Sequence, residues 1–240
     1  MPEQQQPPNS SAPRDASSLA PPWHTAALIG VICAVATTGA LLTSRGGRPP
    51  QLANPSSRIA AVYLPMVVVQ WSLAIYVCRV GRPRSALRCL LGKTWRTFGR
   101  AFTDLALALS GWLFVKAVEL AWIRLFGLHD GTAVLAMLPR SSSERVAWVA
   151  VSASAGFCEE LVYRGYLQTQ LTAFTGRPAV AIAIQAALFA IAHGDQGSGA
   201  VARLSFYGLA FGVVAWWRRS LVAGIVCHVW TDVASGLLRG

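Results

Sequence analysis

Polar and apolar positions along this chain separate into long blocks. Seven blocks are almost purely apolar. The first, "HTAALIGVICAVATTGALL", begins at His24. The second covers residues 59–78, with Pro65 placed to kink it, and the third covers 104–123. The fourth runs from Val146 to Gln168, and the fifth, "PAVAIAIQAALFAIAH", from Pro178 to His193. The sixth covers 200–217, and the seventh is "LVAGIVCHVWTDVASGLL". About 20 mostly apolar residues make a helix long enough to cross the hydrocarbon core of a bilayer. The pattern therefore predicts an all-α fold: a polytopic membrane bundle of about seven transmembrane helices.

The polar blocks set the organisation. Residues 1–22 are rich in Pro, Gln and Ser without an apolar face, which predicts a disordered tail; residues 23–240 then form one multi-pass membrane domain. The first apolar block is too long, and its leader too weakly charged, for a cleaved signal peptide, so it is expected to be retained. Between the second and third blocks lies "RVGRPRSALRCLLGKTWRTFGR", which is expected to hold an amphipathic helix in the membrane interface. "GLHDGTAVLAMLPRSSSER" reads as a loop with a short apolar stretch, and "GDQGSG" as a turn.

Composition sharpens this picture. The chain is 54% hydrophobic and only 13% charged, against about 25% charged in soluble domains. Its formal charge of +11 does not imply nucleic acid, because the basic residues lie between apolar blocks and form no single stripe. Basic loops instead mark the cytoplasmic side and meet anionic lipid headgroups. The linker with Arg79, Arg82, Arg84, Arg88, Lys93, Arg96 and Arg100 and the turn at Arg218–Arg219 fall on one side in a seven-span topology. This predicts a cytoplasmic N-terminus, against which Arg45, Arg48 and Arg58 of the first loop count. Nineteen arginines against Lys93 and Lys116 point to a GC-rich, bacterial source, and so to the inner membrane. The five cysteines form no CxxC pair, so neither a disulfide framework nor a thiolate metal site is expected. Gly208 and Gly212 in "GLAFG" mark a close helix contact.

A few polar residues break the apolar blocks. Glu159, Glu160 and Arg164 stand in the fourth, where a charge near a helix centre costs about 2.5–3.5 kcal/mol. Such residues normally face a bundle interior or a wet cavity and mark function. Glu160 and Arg164, four apart, share a helix face and can pair. Glu159 is rotated by about 100° from Glu160, so the two carboxylates are expected to serve different partners, leaving Glu159 free as a general base or acid. His193 ends the fifth block with Phe189 one turn earlier. His228 lies in the seventh with Asp232 one turn later, a spacing at which the carboxylate can fix the imidazole tautomer. Packing glue or satisfied interfacial residues are the structural alternative at each position. In the third block, Lys116 and Glu119 read as a structural pair, while Asp104 and Arg124 are expected to snorkel from its ends.

In order and spacing, "EELVYR" at 159–164, "FAIAH" at 189–193 and "HVWTD" at 228–232 resemble the motifs of the CPBP family of intramembrane proteases, which includes the Rce1-type CAAX prenyl endopeptidases and the Abi proteins. The resemblance covers residues 146–238. It implies a glutamate-dependent intramembrane endopeptidase that acts on a membrane-embedded or membrane-anchored protein, of CAAX type or at a C-terminal sorting segment. By that resemblance Glu159 activates a water with His193, while His228 and the residue at 232 stabilise the oxyanion. Glu160 and Arg164 orient the site, with Phe189 as a further supporting residue. Many relatives carry Asn at the last position; an ionised Asp232 can only accept hydrogen bonds and would instead hold His228. No cofactor is expected, zinc on Glu159, His193 and His228 being the alternative. Two other functions stand beside the protease: a catalytically silent binding or immunity protein that uses the same cavity, and an ion-coupled transporter.

Overall fold

The computed structural model describes residues 18–44, 55–79, 86–127 and 132–239. Residues 1–17 of the expected tail, Arg45 and Arg48 of the first loop, and Arg82 and Arg84 of the linker lie outside the described residues.

The helices follow the apolar blocks: α1 (Pro22–Ser44), α2 (Pro55–Cys78), the short α3 (Ala86–Leu91), α4 (Phe98–Phe126), the short α5 (Thr132–Met137), α6 (Ser142–Thr175), α7 (Pro178–Ile191), α8 (Ser198–Arg218) and α9 (Val222–Arg239). Among the described residues, α1, α2, α4, α6 and α8 are long and apolar enough to cross a membrane, and α7 and α9 are shorter apolar helices. The fold is a helical membrane bundle. At 14 residues, α7 is about 21 Å long, short of the hydrocarbon core, and it hands the chain to a 3₁₀ turn at Gly194–Gln196.

The bundle's outer surface is apolar. Leu105, Leu109, Leu113 and Leu120 of α4 and Val68, Val69 and Ile75 of α2 are all exposed. In water such a surface would be an aggregation hazard; in lipid it is solvated. The interior carries the polar residues. Glu160 and Asp104 have no exposed surface, and Arg164 has 2%.

Several contacts explain why the core closes. Gly208 and Gly212 of α8 face α7: a Cβ on Gly208 would meet Ala186 at 2.8 Å, and one on Gly212 would meet Gln185 at 2.6 Å. Their backbone carbonyls accept from Gln185 (2.9 Å) and Gln168 (3.0 Å), so close approach and amide bonds reinforce each other. At the other end of α6, Arg58 lies 3.6 Å from Glu144 and donates to the carbonyls of Ala136 and Leu138, tying α5 to the bundle. Near the N-terminus, Tyr166 meets His24 at 2.8 Å and Thr25 at 3.1 Å, pinning α1 to α6.

One sequence expectation needs correction. Asp104 does not snorkel: Arg218 Nε donates to it at 2.8 Å and Trp95 Nε1 at 3.0 Å, so a buried carboxylate is neutralised from α8. Pro65 lies near a local widening, since Ile59–Tyr63 of α2 forms a π-type turn just before it. Other expectations stand. Lys116 and Glu119 pair at 2.8 Å, and all five cysteines are free. The basic linker and the Arg218–Arg219 turn meet directly: Lys93 N–H donates to the Arg219 carbonyl at 2.9 Å, and Leu221 N–H to Leu91 at 3.1 Å. Both basic segments therefore lie on one side of the bundle.

Candidate active site

Three helices supply the site. In α6, regular α-geometry ends at Glu159, and residues Glu160–Leu167 form a π-helical segment before α-geometry resumes at Gln168. Such segments are uncommon and often mark functional sites, because the wider turn changes where residues on either side of it point. Here the segment buries all eight of its residues. α7 brings Phe189 and, just past its end, His193. α9 brings His228 and Asp232.

Glu160 is the hub of the buried charges. Its Oε1 lies 3.0 Å from Arg164 and 3.2 Å from His228 Nδ1. Arg164 stacks its guanidinium over the Phe189 ring, 4.2 Å from the centroid, so an aromatic face covers a cation that has lost its water. α9 can come this close because residue 224, one turn before His228, is glycine. A Cβ there would stand 2.8 Å from Glu160 Oε2.

The two carboxylates share a partner, against the sequence expectation. His228 bridges them: Nδ1 faces Glu160, and Nε2 lies 3.8 Å from Glu159 Oε2. Neighbouring positions on a helix point in different directions, but an imidazole carries nitrogens on two edges and reaches both. The ring's orientation also has a different keeper than expected. Asp232 Oδ2 is 3.6 Å from His228 Nε2, beyond hydrogen-bond reach, whereas the Glu160 contact is within it. With Glu160 ionised against Arg164, Nδ1–H donates and Nε2 is left facing Glu159 and Asp232.

His193 is fixed in the same sense. Its Nδ1–H donates to the Phe189 carbonyl at 2.8 Å, which turns Nε2 toward Glu159 Oε2 at 3.9 Å. Glu159 Oε2 is therefore faced by two imidazoles, yet it is buried and has no hydrogen-bond partner among the described residues. All the residues singled out from the sequence come together here: Glu159, His193, His228 and Asp232 around one point, with Glu160, Arg164 and Phe189 behind them.

Glu159 stands on the wall between two cavities. One, of about 230 Å³, is also lined by His193, His228 and Asp232, with Lys116 and Arg203 farther along it. The other, of about 130 Å³, lies between α1 and α2 and reaches Glu159 and His193 from the opposite side. Its lining includes Val31, Val35 and Val69, which are exposed on the bundle's apolar exterior. Gln70 lines both cavities. Sequence reasoning missed it, although an amide inside the apolar run "MVVVQWSL" is the same kind of signal that exposed Glu159.

Tetrahedral zinc at about 2.0–2.1 Å from its nitrogen and oxygen ligands would bring donor atoms closer together than the 3.8 and 3.9 Å found from Glu159 to the two imidazoles. Among the described residues no three His, Cys, Asp or Glu side chains are gathered to hold a metal ion. As placed, the two imidazoles stand wider of Glu159 than a tetrahedral zinc site needs.

Comparison with known proteins agrees with the architecture. Residues 141–234 match the family model of type II CAAX prenyl endopeptidase Rce1-like proteins. The matched segment holds α6 through most of α9, and with it every residue of the cluster. No curated protein and no solved structure matches the chain.

Proposed function

We propose that this chain, whose residues 141–234 match the Rce1-like family model, is an intramembrane endopeptidase that uses Glu159 to activate water against a membrane-anchored protein, without a catalytic metal. The observation that carries the reading is Glu159 Oε2: enclosed, unpartnered, faced by two imidazole Nε2 atoms and standing at a cavity wall.

The chemistry follows from that placement. The Glu159 carboxylate takes a proton from water as the oxygen attacks the scissile carbonyl, and His193 Nε2 steadies the same water. Negative charge then develops on the carbonyl oxygen. His228, doubly protonated with Nδ1–H on Glu160, donates Nε2–H to that oxygen, a fixed donor of the kind that stabilises oxyanions. Protonated Glu159 returns its proton to the departing amine as the C–N bond breaks. Asp232, ionised, accepts only, so its part is to balance the charge on His228. The apolar cavity between α1 and α2 offers a membrane-anchored substrate a path to Glu159 from the lipid side. The Rce1-like domain favours cleavage of CAAX type near a C-terminus, and the arginine-rich composition favours a bacterial inner membrane.

The test is cleavage of a panel of C-terminally anchored peptides, prenylated and unprenylated, by the full chain in proteoliposomes. Loss of the general base lowers the rate by about 10²–10⁴-fold, so Glu159→Gln should abolish cleavage within the assay window. Cleavage at the wild-type rate by Glu159→Gln would overturn the assignment.

A further inference from the structure

Away from the catalytic cluster, where α3 and the linker meet the start of α4, a hollow of about 730 Å³ is lined by Arg88, Lys93, Arg96 and Arg100. No carboxylate is among its described lining residues, and none of the four cations has an ion pair among the described residues. The nearby carboxylate of Asp104 is already held by Arg218 and Trp95. Arg100 Nε is enclosed and has no hydrogen-bond partner. Four positive side chains around an open hollow repel one another, and an anion seated among them would relieve that repulsion.

The surroundings indicate which anion. Trp95 is 45% exposed, Phe98 87% and Phe102 64%. Aromatic residues collect at the headgroup level of a bilayer. Beyond them, α4 exposes Leu105 and Leu109, which belong in hydrocarbon. The hollow therefore lies at headgroup depth, with a greasy surface leading away from it. A nucleic acid would meet the polar side of this edge but leave that surface uncovered.

We infer that this hollow binds the phosphate of an anionic phospholipid headgroup, whose acyl chains run down the exposed face of α4. The hollow's floor joins the start of α9. Gly92 forms an antiparallel bridge with Ser220, and Lys93 N–H donates to the Arg219 carbonyl. Gly92 has φ +71°, and a Cβ there would stand 2.4 Å from the Arg219 carbonyl oxygen, so only glycine fits this seam. A headgroup on Lys93 and Arg96 thus fastens the linker against the helix that carries His228.

The test uses the full chain in detergent, titrated with dioleoyl phosphatidylglycerol or dioleoyl phosphatidylcholine and read by native mass spectrometry. Wild type should retain the anionic lipid at least about 25-fold more tightly, the share of two basic residues. Each basic residue near an anionic surface contributes about fivefold, so Lys93→Gln with Arg96→Gln should lose about 25-fold. Both side chains are exposed, so this pair carries the test even where Arg100→Gln unfolds the protein. Arg124→Gln with Arg177→Gln, exposed and outside the hollow, should stay within twofold of wild type. Equal retention of the two lipids, or equal losses from both double variants, would overturn the site. Displacement of the lipid by millimolar inorganic phosphate would assign the hollow to free phosphate and overturn the lipid.

Discussion

Gly224→Ala probes the site through geometry alone, adding one methyl and removing no functional group. In an ordinary helix Ala is more favourable than Gly by about 1 kcal/mol, so α9 itself has no reason to suffer. The new Cβ would stand 2.8 Å from Glu160 Oε2 and 3.3 Å from its Cδ, where ordinary contact begins at 3.4 Å. The carboxylate must then yield by about 0.6 Å, the difference between those two distances. It cannot yield alone, because Oε1 lies 3.0 Å from Arg164 and 3.2 Å from His228. Moving Glu160 turns the imidazole whose Nε2 is to meet the oxyanion. Misplacement by about 1 Å costs on the order of 100-fold in rate, so kcat should fall about 10- to 100-fold, while the melting temperature falls only modestly because the helix gain of Ala offsets part of an overpacking cost of about 1–3 kcal/mol. The assay is peptide cleavage in proteoliposomes with a melt on the same preparation. Gly30→Ala, which meets nothing within 4 Å, serves as the silent control. A Gly224→Ala protein with wild-type kcat would refute the claim that Glu160 positions His228.

Other perturbations reach different parts of the account. Arg164→Leu leaves Glu160 buried without its cation, and breaking one side of such a pair destabilises by about 3–5 kcal/mol; a thermal melt should show a large drop even where helicity survives. Asp232→Asn removes the negative charge 3.6 Å from His228 Nε2 and so weakens the charged imidazole; cleavage should persist but fall about tenfold, whereas a collapse comparable to that of Glu159→Gln would place Asp232 in the proton path. Because the proposed chemistry needs no metal, preincubation with a strong zinc chelator should leave the rate unchanged, and loss restored by added zinc would contradict the mechanism.

The seven apolar blocks each became a helix because hydropathy over about 20 residues reports directly on membrane solvation. Their ends were harder to read. α6 continues to Thr175, past the expected end at Gln168, through "TQLTAFT". There Thr169, Thr172 and Thr175 each donate a hydroxyl to the carbonyl four residues earlier at 2.7 Å, so polar residues extend the helix without registering as apolar. The π-helical segment at Glu160–Leu167 left no mark in the periodicity, since a wall buried on all sides has no face to count. Glu159, His193 and His228 stood out because charge and imidazole are costly in lipid. Their shared geometry did not, because it depends on Gly224 letting α9 lie against Glu160. Asp104 was misread for a related reason: its partner Arg218 is distant in the chain, and sequence spacing sees only neighbours.

The central claim is that Glu159 makes this chain a protease. Its most direct test compares the termini of membrane proteins by mass spectrometry in cells expressing wild type or Glu159→Gln at matched levels. The account predicts new termini with wild type that vanish with Glu159→Gln, which would name the substrate as well. Identical termini, together with a Glu159→Gln strain that keeps the wild-type phenotype, would contradict it.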